Sequence, residues 1–353
     1  MKQIKLGTKI VQDYSKPYII AEIGANHNGD MLIAKQMIKS AKECGVDAVK
    51  FQSWTPSSLI ANAEYDNNQS YEDGDGGKKH FGSLKDMVEK YYLREEQHFE
   101  LKQYCDDLGV AFCSTPFSNN EVDLLEKCDI PFYKVASMDI NNFQLLSRIA
   151  EKGKPMILST GMSSIAEIDN ALNLLSKNNV KEIALLHCIS IYPPLYEDIH
   201  LNNISMLRKT FGLPVGFSDH TIGYAIPLAS VALGACIIEK HFTLDKDMPG
   251  WDHKISANPE EMKIICEESD NIIKSLGSFA RIVSAAEEDK KAKFRRSAVA
   301  KADFKAGHVI QVSDIDYKRP GDGIQPEELK YMVGRVVKKD IERDNLLKWD
   351  DFV

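Results

Sequence analysis

Two histidines frame the chemistry of this chain. His220 follows the apolar run Pro214–Phe217 in SDHT, and His241 follows Ala235–Ile238 in EKHF. Short apolar runs bounded by turn residues read as buried parallel strands. The small apolar stretch between them, 224–233, reads as a helix packed on a sheet. Both imidazoles therefore leave a strand–helix–strand unit at the carboxyl ends of its strands, where parallel α/β folds carry their chemistry. With Glu239 and Asp252 nearby, they suit a divalent metal. The plainer alternative is two histidines hydrogen-bonded at a strand edge.

Two lysines add a second signal. Lys50 in DAVKFQ and Lys134 in FYKVAS interrupt otherwise apolar strands, a costly placement unless the charge is used or reaches water. Polar residues recur at the ends of the other apolar runs: Glu22, Gln52, Ser114, Ser137, Asp139, Ser159, Ser190 and Ser218. Serines also cap strands and form turns, and Glu22 and Asp252 could equally be salt-bridge partners. Converging on one mouth, the set offers two ammonium groups and several hydroxyls, which suits an anionic, phosphorylated substrate beside a metal.

The elements that must position these residues are eight apolar runs: 18–24, 47–52, 110–115, 131–137, 155–162, 182–190, 214–219 and 235–242. Helical patterns separate nearly all of them, and eight strands alternating with helices predict a (β/α)8 TIM barrel. No GxGxxG follows the first strand, which argues against a doubly wound dinucleotide fold. KQIKLGTKIVQ predicts a hairpin, a lid over one end of the barrel. A polar excursion runs from Thr55 to about Gly82. Residues 1–281 are expected to form the barrel, the charged stretch 282–296 a linker, and 297–353 a small, mostly β domain.

Composition narrows the functional classes. The chain has 353 residues, 43% of them hydrophobic, a net charge of −8 and no long basic block, so nucleic acid is not an expected partner. Seven scattered cysteines without a CxxC pair fit small reduced core residues. No signal-peptide core or membrane-length apolar run is present, so a soluble cytoplasmic protein without membrane partners is expected.

AEIGANHNGD (21–30), VKFQSW (49–54), YKVASMDINN (133–142), LSTGM (158–162), LHCISIYP (186–193), GFSDHTIG (216–223) and EKHFTLDKDMPGWDH (239–253) closely resemble the N-acylneuraminate (sialic acid) synthases. SAVAKADFKAGHVI and KRPGDGI (318–324) resemble the antifreeze-like domain that ends those enzymes. The resemblance implies a phosphoenolpyruvate-dependent condensation with an N-acylated mannosamine-type sugar, giving a nine-carbon 2-keto sugar acid and phosphate. It assigns Lys50, Lys134, Ser137, Ser159 and Ser218 to phosphoenolpyruvate, with Ser190 beside them. His220 and His241 would hold a divalent metal, Mn2+ or Mg2+. Glu22, Gln52, Tyr192 and Asp252 would face the sugar and handle protons, and Asp139 would be a further catalytic carboxylate. It also implies a domain-swapped homodimer in which Arg319 reaches the neighbouring barrel.

Three positions depart from the family pattern. Ser190 replaces a usual asparagine, Asp139 a frequent glutamate, and Trp251 a smaller residue beside Asp252. These bear on the acceptor, for which N-acetylmannosamine and a 2,4-diacetamido-6-deoxy sugar leading to legionaminate are the expected candidates, with a pseudaminic-type sugar less favoured. The alternatives are a metal-dependent pyruvate aldolase, a Schiff-base aldolase using Lys50 or Lys134, and an ice-binding module. The heavily charged KRPGDGI and VKKDIERDN disfavour the last.

Overall fold

A computed structural model describes residues 2–67 and 83–353. They divide into two compact units, Met1–Gly277 and Ser278–Val353. The first opens with an antiparallel hairpin of β1 (Gln3–Leu6) and β2 (Lys9–Gln12). Eight parallel strands follow: β3 (Tyr18–Gly24), β4 (Ala48–Ser53), β5 (Ala111–Pro116), β6 (Tyr133–Val135), β7 (Met156–Ser159), β8 (Ile183–Cys188), β9 (Val215–Asp219) and β10 (Ile237–His241). Their order is β5-β4-β3-β10-β9-β8-β7-β6. β5 and β6 pack against each other, so the sheet curls into a nearly closed barrel. The expected (β/α)8 architecture is the observed one, with each strand followed by a helix.

Local chemistry sets the helix ends. Helix Met31–Cys44 starts where the Asp30 carboxylate accepts from the Leu32 and Ile33 backbone N–H groups, and stops at Gly45, whose φ of 96° is left-handed. Its buried residues Ala34, Met37, Ile38, Ala41 and Cys44 follow the three-to-four spacing of one helical face. Alternation along the strands separates two apolar layers. Ile19, Val49, Phe112, Val135, Leu158, Leu185, Phe217 and Ile238 point outward under the helices. Tyr18, Ile20, Ala48, Phe132, Ile157, Leu186 and Ile237 point inward. Ile4, Leu6 and Val11 of the hairpin join this inner layer, so the hairpin plugs the amino-terminal end of the barrel. The opposite end is left for polar groups.

The polar excursion is more structured than its composition implies. It carries helices Pro56–Leu59 and Asn62–Asn67, its residues 68–82 lie outside the described residues, and helix Leu84–Tyr91 follows it. Trp54, Tyr65 and Tyr91 cluster there with Trp251 packed against them.

In the second unit, β11 (Ser297–Ala300) pairs antiparallel with β12 (Ile315–Lys318). Around them Phe304, Ile310, Ile324, Met332, Leu347 and Phe352 form a small core. The charged stretch expected as a linker carries a helix, Ala285–Phe294, started by a reciprocal Ser284–Glu287 capping box. Helix-forming Ala, Glu and Lys behind a serine cap are sufficient reason for that helix.

Candidate functional site

Alternation brings one polar side chain after another to the carboxyl end of the barrel. On β3 the inward series is Tyr18, Ile20, Glu22; on β10 it is Ile237, Glu239, His241. Each series is apolar below and polar at the top. Together they line a cavity of about 280 Å³ that includes Glu22, Lys50, Gln52, Lys134, Ser137, Ser159, Ser190, Tyr192, Ser218, His220 and His241. Ser114 is a correction. It points outward and hydrogen-bonds Ser53 Oγ at 2.6 Å, and the next residue, Thr115, takes the inward place. A one-residue offset along a strand exchanges faces.

Four fully buried charges meet at the cavity floor. Lys50 Nζ lies 2.6 Å from Glu22 Oε2 and donates to Thr115 Oγ1 at 3.0 Å. Gln52 Nε2 donates to the other Glu22 oxygen at 2.8 Å. Lys134 Nζ donates to Ser159 Oγ at 2.7 Å and sits 3.7 Å from Glu239 Oε2. Ser218 Oγ donates to Glu239 Oε1 at 3.1 Å. Burial, aided by the charge of Glu239, pushes the Glu22 carboxyl up to about 7 against the opposing pull of Lys50. Lys134 is held below the ordinary lysine range, first by burial and then by Lys50. Burial would raise Glu239 too, but the two ammonium groups bring it below the usual carboxylate range. The result is a balanced set of two cations and two carboxylates, one poised near neutrality.

The two histidines meet at the rim with ring centroids 5.5 Å apart. His220 Nδ1 lies 2.7 Å from the Ile189 carbonyl oxygen, an acceptor only, so Nδ1 carries the proton and Nε2 keeps the lone pair. Tyr192 stacks on the His220 ring at 4.0 Å between centroids. His241 Nδ1 is buried without a hydrogen-bond partner and lies 3.7 Å from Asp252 Oδ2. Burial, and then the neighbouring His220, hold this imidazole well below its ordinary pKa, which keeps it neutral as a metal ligand must be. Among the described residues no cluster of three or more His, Cys, Asp or Glu forms a closed cage. Two imidazoles, one with an orphaned nitrogen, fit a metal site with open positions rather than a structural one.

The remaining expected residues divide. Ser137 Oγ accepts the Gly161 backbone N–H at 3.1 Å. A Cβ on Gly161 would stand 2.3 Å from Ser190 Oγ and 2.8 Å from Ser137 Oγ, so glycine is required for this close approach. Asp139 does not reach the cavity: it ends the turn Ser137–Asp139, takes the Asn142 side-chain N–H at 3.0 Å, and leaves its second oxygen buried without a hydrogen bond. Asp252 stands beside His241 rather than in the lining. Trp251 packs on Trp54 and Tyr91, with ring centroids 6.2 and 5.9 Å away, and also lies outside the lining. Arg319 belongs to the second unit, where its guanidinium stacks 5.0 Å over the Phe294 ring.

Two residues carry more than the sequence reading gave them. Glu239 links Lys134 to Ser218, and its inward period two residues before His241 is the signal that finds it. Cys188 lines the cavity, two residues before Ser190 on the same inward series, and is not merely a core residue. Burial raises its thiol most, but a hydrogen bond with His220, the charges of His220 and Lys134 and a hydrogen bond with Ser137 together draw it below its ordinary value. All seven cysteines are free and buried.

Comparison with known proteins agrees with this geometry. Residues 37–281 match the NeuB family and residues 295–353 match the SAF domain. An N,N'-diacetyllegionaminic acid synthase of Campylobacter jejuni subsp. jejuni serotype O:2 is 40% identical over 339 residues, covering 94% of this chain and 99% of that protein. The N,N'-diacetyllegionaminic acid synthase of Legionella pneumophila subsp. pneumophila is 37% identical over 341 residues, covering 94% of each. Among solved structures, the N-acetylneuraminic acid (sialic acid) synthetase of Leptospira borgpetersenii serovar Hardjo-bovis in complex with citrate superposes with a TM-score of 0.72 at 33% identity, over 82% of this chain and 95% of that one. A polar-topped (β/α)8 barrel followed by a SAF domain thus has a family: the chain belongs to the NeuB family.

Proposed function

We propose that this chain is a nonulosonate synthase that condenses phosphoenolpyruvate with an N-acylated mannosamine-type sugar, releasing phosphate and a nine-carbon 2-keto sugar acid. The observation that carries this is the pairing, in one cavity, of two buried ammonium groups with two imidazoles across from them. Lys50, Lys134, Ser137, Ser159, Ser190 and Ser218 supply the cations and hydroxyls for a phosphate and a carboxylate. His220 and His241 would hold Mn2+ or Mg2+, and such an ion supplies Lewis acidity for the acceptor's aldehyde oxygen.

The chain's own groups do the rest. Phosphoenolpyruvate C3 attacks the aldehyde carbon, and positive charge develops at C2. Glu239 and Glu22 face that charge, while Lys50 and Lys134 hold the anionic ends in a geometry fixed before reaction. Glu22, poised near 7, takes the proton from the water that adds at C2. Phosphate then leaves from the tetrahedral centre. Gln52 orients Glu22 by its hydrogen bond, and Tyr192 and Asp252 flank the histidines on the acceptor side.

The favoured acceptor is the 2,4-diacetamido-6-deoxy sugar that leads to legionaminate, in keeping with the names of the two relatives above. Arg319, from the SAF domain of a second subunit in a swapped dimer, would meet the acceptor's N-acyl group. The decisive assay offers phosphoenolpyruvate with N-acetylmannosamine and the diacetamido sugar, and reads phosphate release and product mass. Product formed from pyruvate without phosphate release, or a borohydride-trapped adduct on Lys134, would replace the proposal by an aldolase.

A further inference from the structure

A pair of buried charges on the outer side of the same two strands is unused by this chemistry. Asp219 and Lys240 point out of the barrel where Ser218, Glu239 and His241 point in, and they are register partners of β9 and β10. Each is only 1% exposed. Lys240 Nζ lies 2.5 Å from Asp219 Oδ2 and donates to the Thr221 carbonyl oxygen at 2.6 Å. Asp219 in turn accepts from the Thr221 backbone N–H at 3.0 Å and from its hydroxyl at 3.1 Å.

An ion pair this deep is a weak source of stability, because apolar side chains of similar volume would fill the layer as well or better. What it does provide is direction. The ammonium is carried by the residue before His241. Its two oxygen partners belong to the residues on either side of His220. One buried cation thus pins both flanks of one imidazole to the root of the other. Removing it takes away the side-chain link between the two strand ends beyond their last ladder pair.

We infer that Asp219 and Lys240 are positioning residues that hold His220 and His241 at the separation a shared divalent ion requires. This rests on the reading of the two imidazoles as a metal site. It extends that reading to residues that touch neither metal nor substrate, in the way hydrogen-bonding partners behind a ligand tune its affinity.

The test is Mn2+ binding to the full-length protein without substrates, read from loss of the free-ion electron paramagnetic resonance signal and by titration calorimetry. The double variant Asp219→Leu/Lys240→Met removes both charges at similar volume and strands neither. Asp219→Asn is the second, isosteric variant, and carries the test if the double variant does not fold. His220→Ala is the reference that should lose binding. The expected result is a rise in Mn2+ Kd of about tenfold or more in the double variant, and a smaller rise in Asp219→Asn. Circular dichroism and unfolding midpoints should stay near those of the wild type. A Kd within about twofold of wild type in the folded variants overturns the positioning role and leaves the metal reading intact. Mn2+ bound no better by wild type than by His220→Ala overturns both.

Discussion

Replacing Glu22 with Gln tests the proton-handling end of the site through two independent quantities. The change is isosteric and keeps an oxygen for the Gln52 side chain, which donates to Glu22 at 2.8 Å. It removes a carboxylate that burial has pushed from its ordinary 4.5 up to about 7. If Glu22 is the base, wild-type kcat/KM falls tenfold per pH unit below about 7 and stands about 30-fold below its plateau at pH 5.5. The variant should lose about 10²–10⁴-fold at the plateau and lose that acid limb as well. Stability gives the second reading. A carboxyl whose folded pKa is raised contributes stability that is full below its unfolded pKa and is lost as pH rises through the folded one. Integrated from pH 5.5 to pH 8, wild type should lose about 2 kcal/mol that the variant does not. Phosphate-release kinetics and urea unfolding at matched pH values measure the two. An acid limb retained in Glu22→Gln, or parallel stability curves for the two proteins, refutes the assignment.

Other predictions follow from single contacts. Gly161→Ala should lower activity by well over tenfold and destabilise the protein by about 1–3 kcal/mol, because its Cβ would overlap Ser190 and Ser137; a thermal melt and a phosphoenolpyruvate KM both read this. Lys134→Met should raise that KM by about 10²-fold through loss of a charge-assisted contact, and an unchanged KM would remove Lys134 from the anion site. Inactive His220→Ala and inactive Arg319→Ala proteins should regain activity on subunit exchange, since one mixed site then combines an intact barrel with an intact arginine. No recovery in demonstrated heterodimers would mean that Arg319 does not act in trans.

The barrel was legible because its strands are short, doubly buried and therefore apolar without interruption. A charge inside such a run stands out, which is why Lys50 and Lys134 were readable as candidate site residues from residue type alone. Which face a strand-end residue occupies was harder. Ser114 and Thr115 are both small and hydroxylated, so composition cannot choose between them, and the face depends on where the inward series starts at Ala111 and Cys113. Glu239 and Cys188 were undervalued for a related reason: a carboxylate beside a histidine and a cysteine in an apolar strand both have ordinary explanations until their periodicity is counted. Helix Leu84–Tyr91 packs its apolar residues on an aromatic satellite rather than on the main core. Trp251 packs into that same satellite, against Trp54 and Tyr91.

The central claim, attack by phosphoenolpyruvate C3 with water adding at C2, is tested most directly by the fate of one oxygen. Phosphoenolpyruvate labelled with ¹⁸O in the bridging C–O–P position is turned over with the diacetamido sugar, and both products are weighed by mass spectrometry. Cleavage of the C–O bond sends the label into phosphate, which is the predicted result; label retained in the keto oxygen of the sugar acid would mean P–O cleavage and would contradict the account.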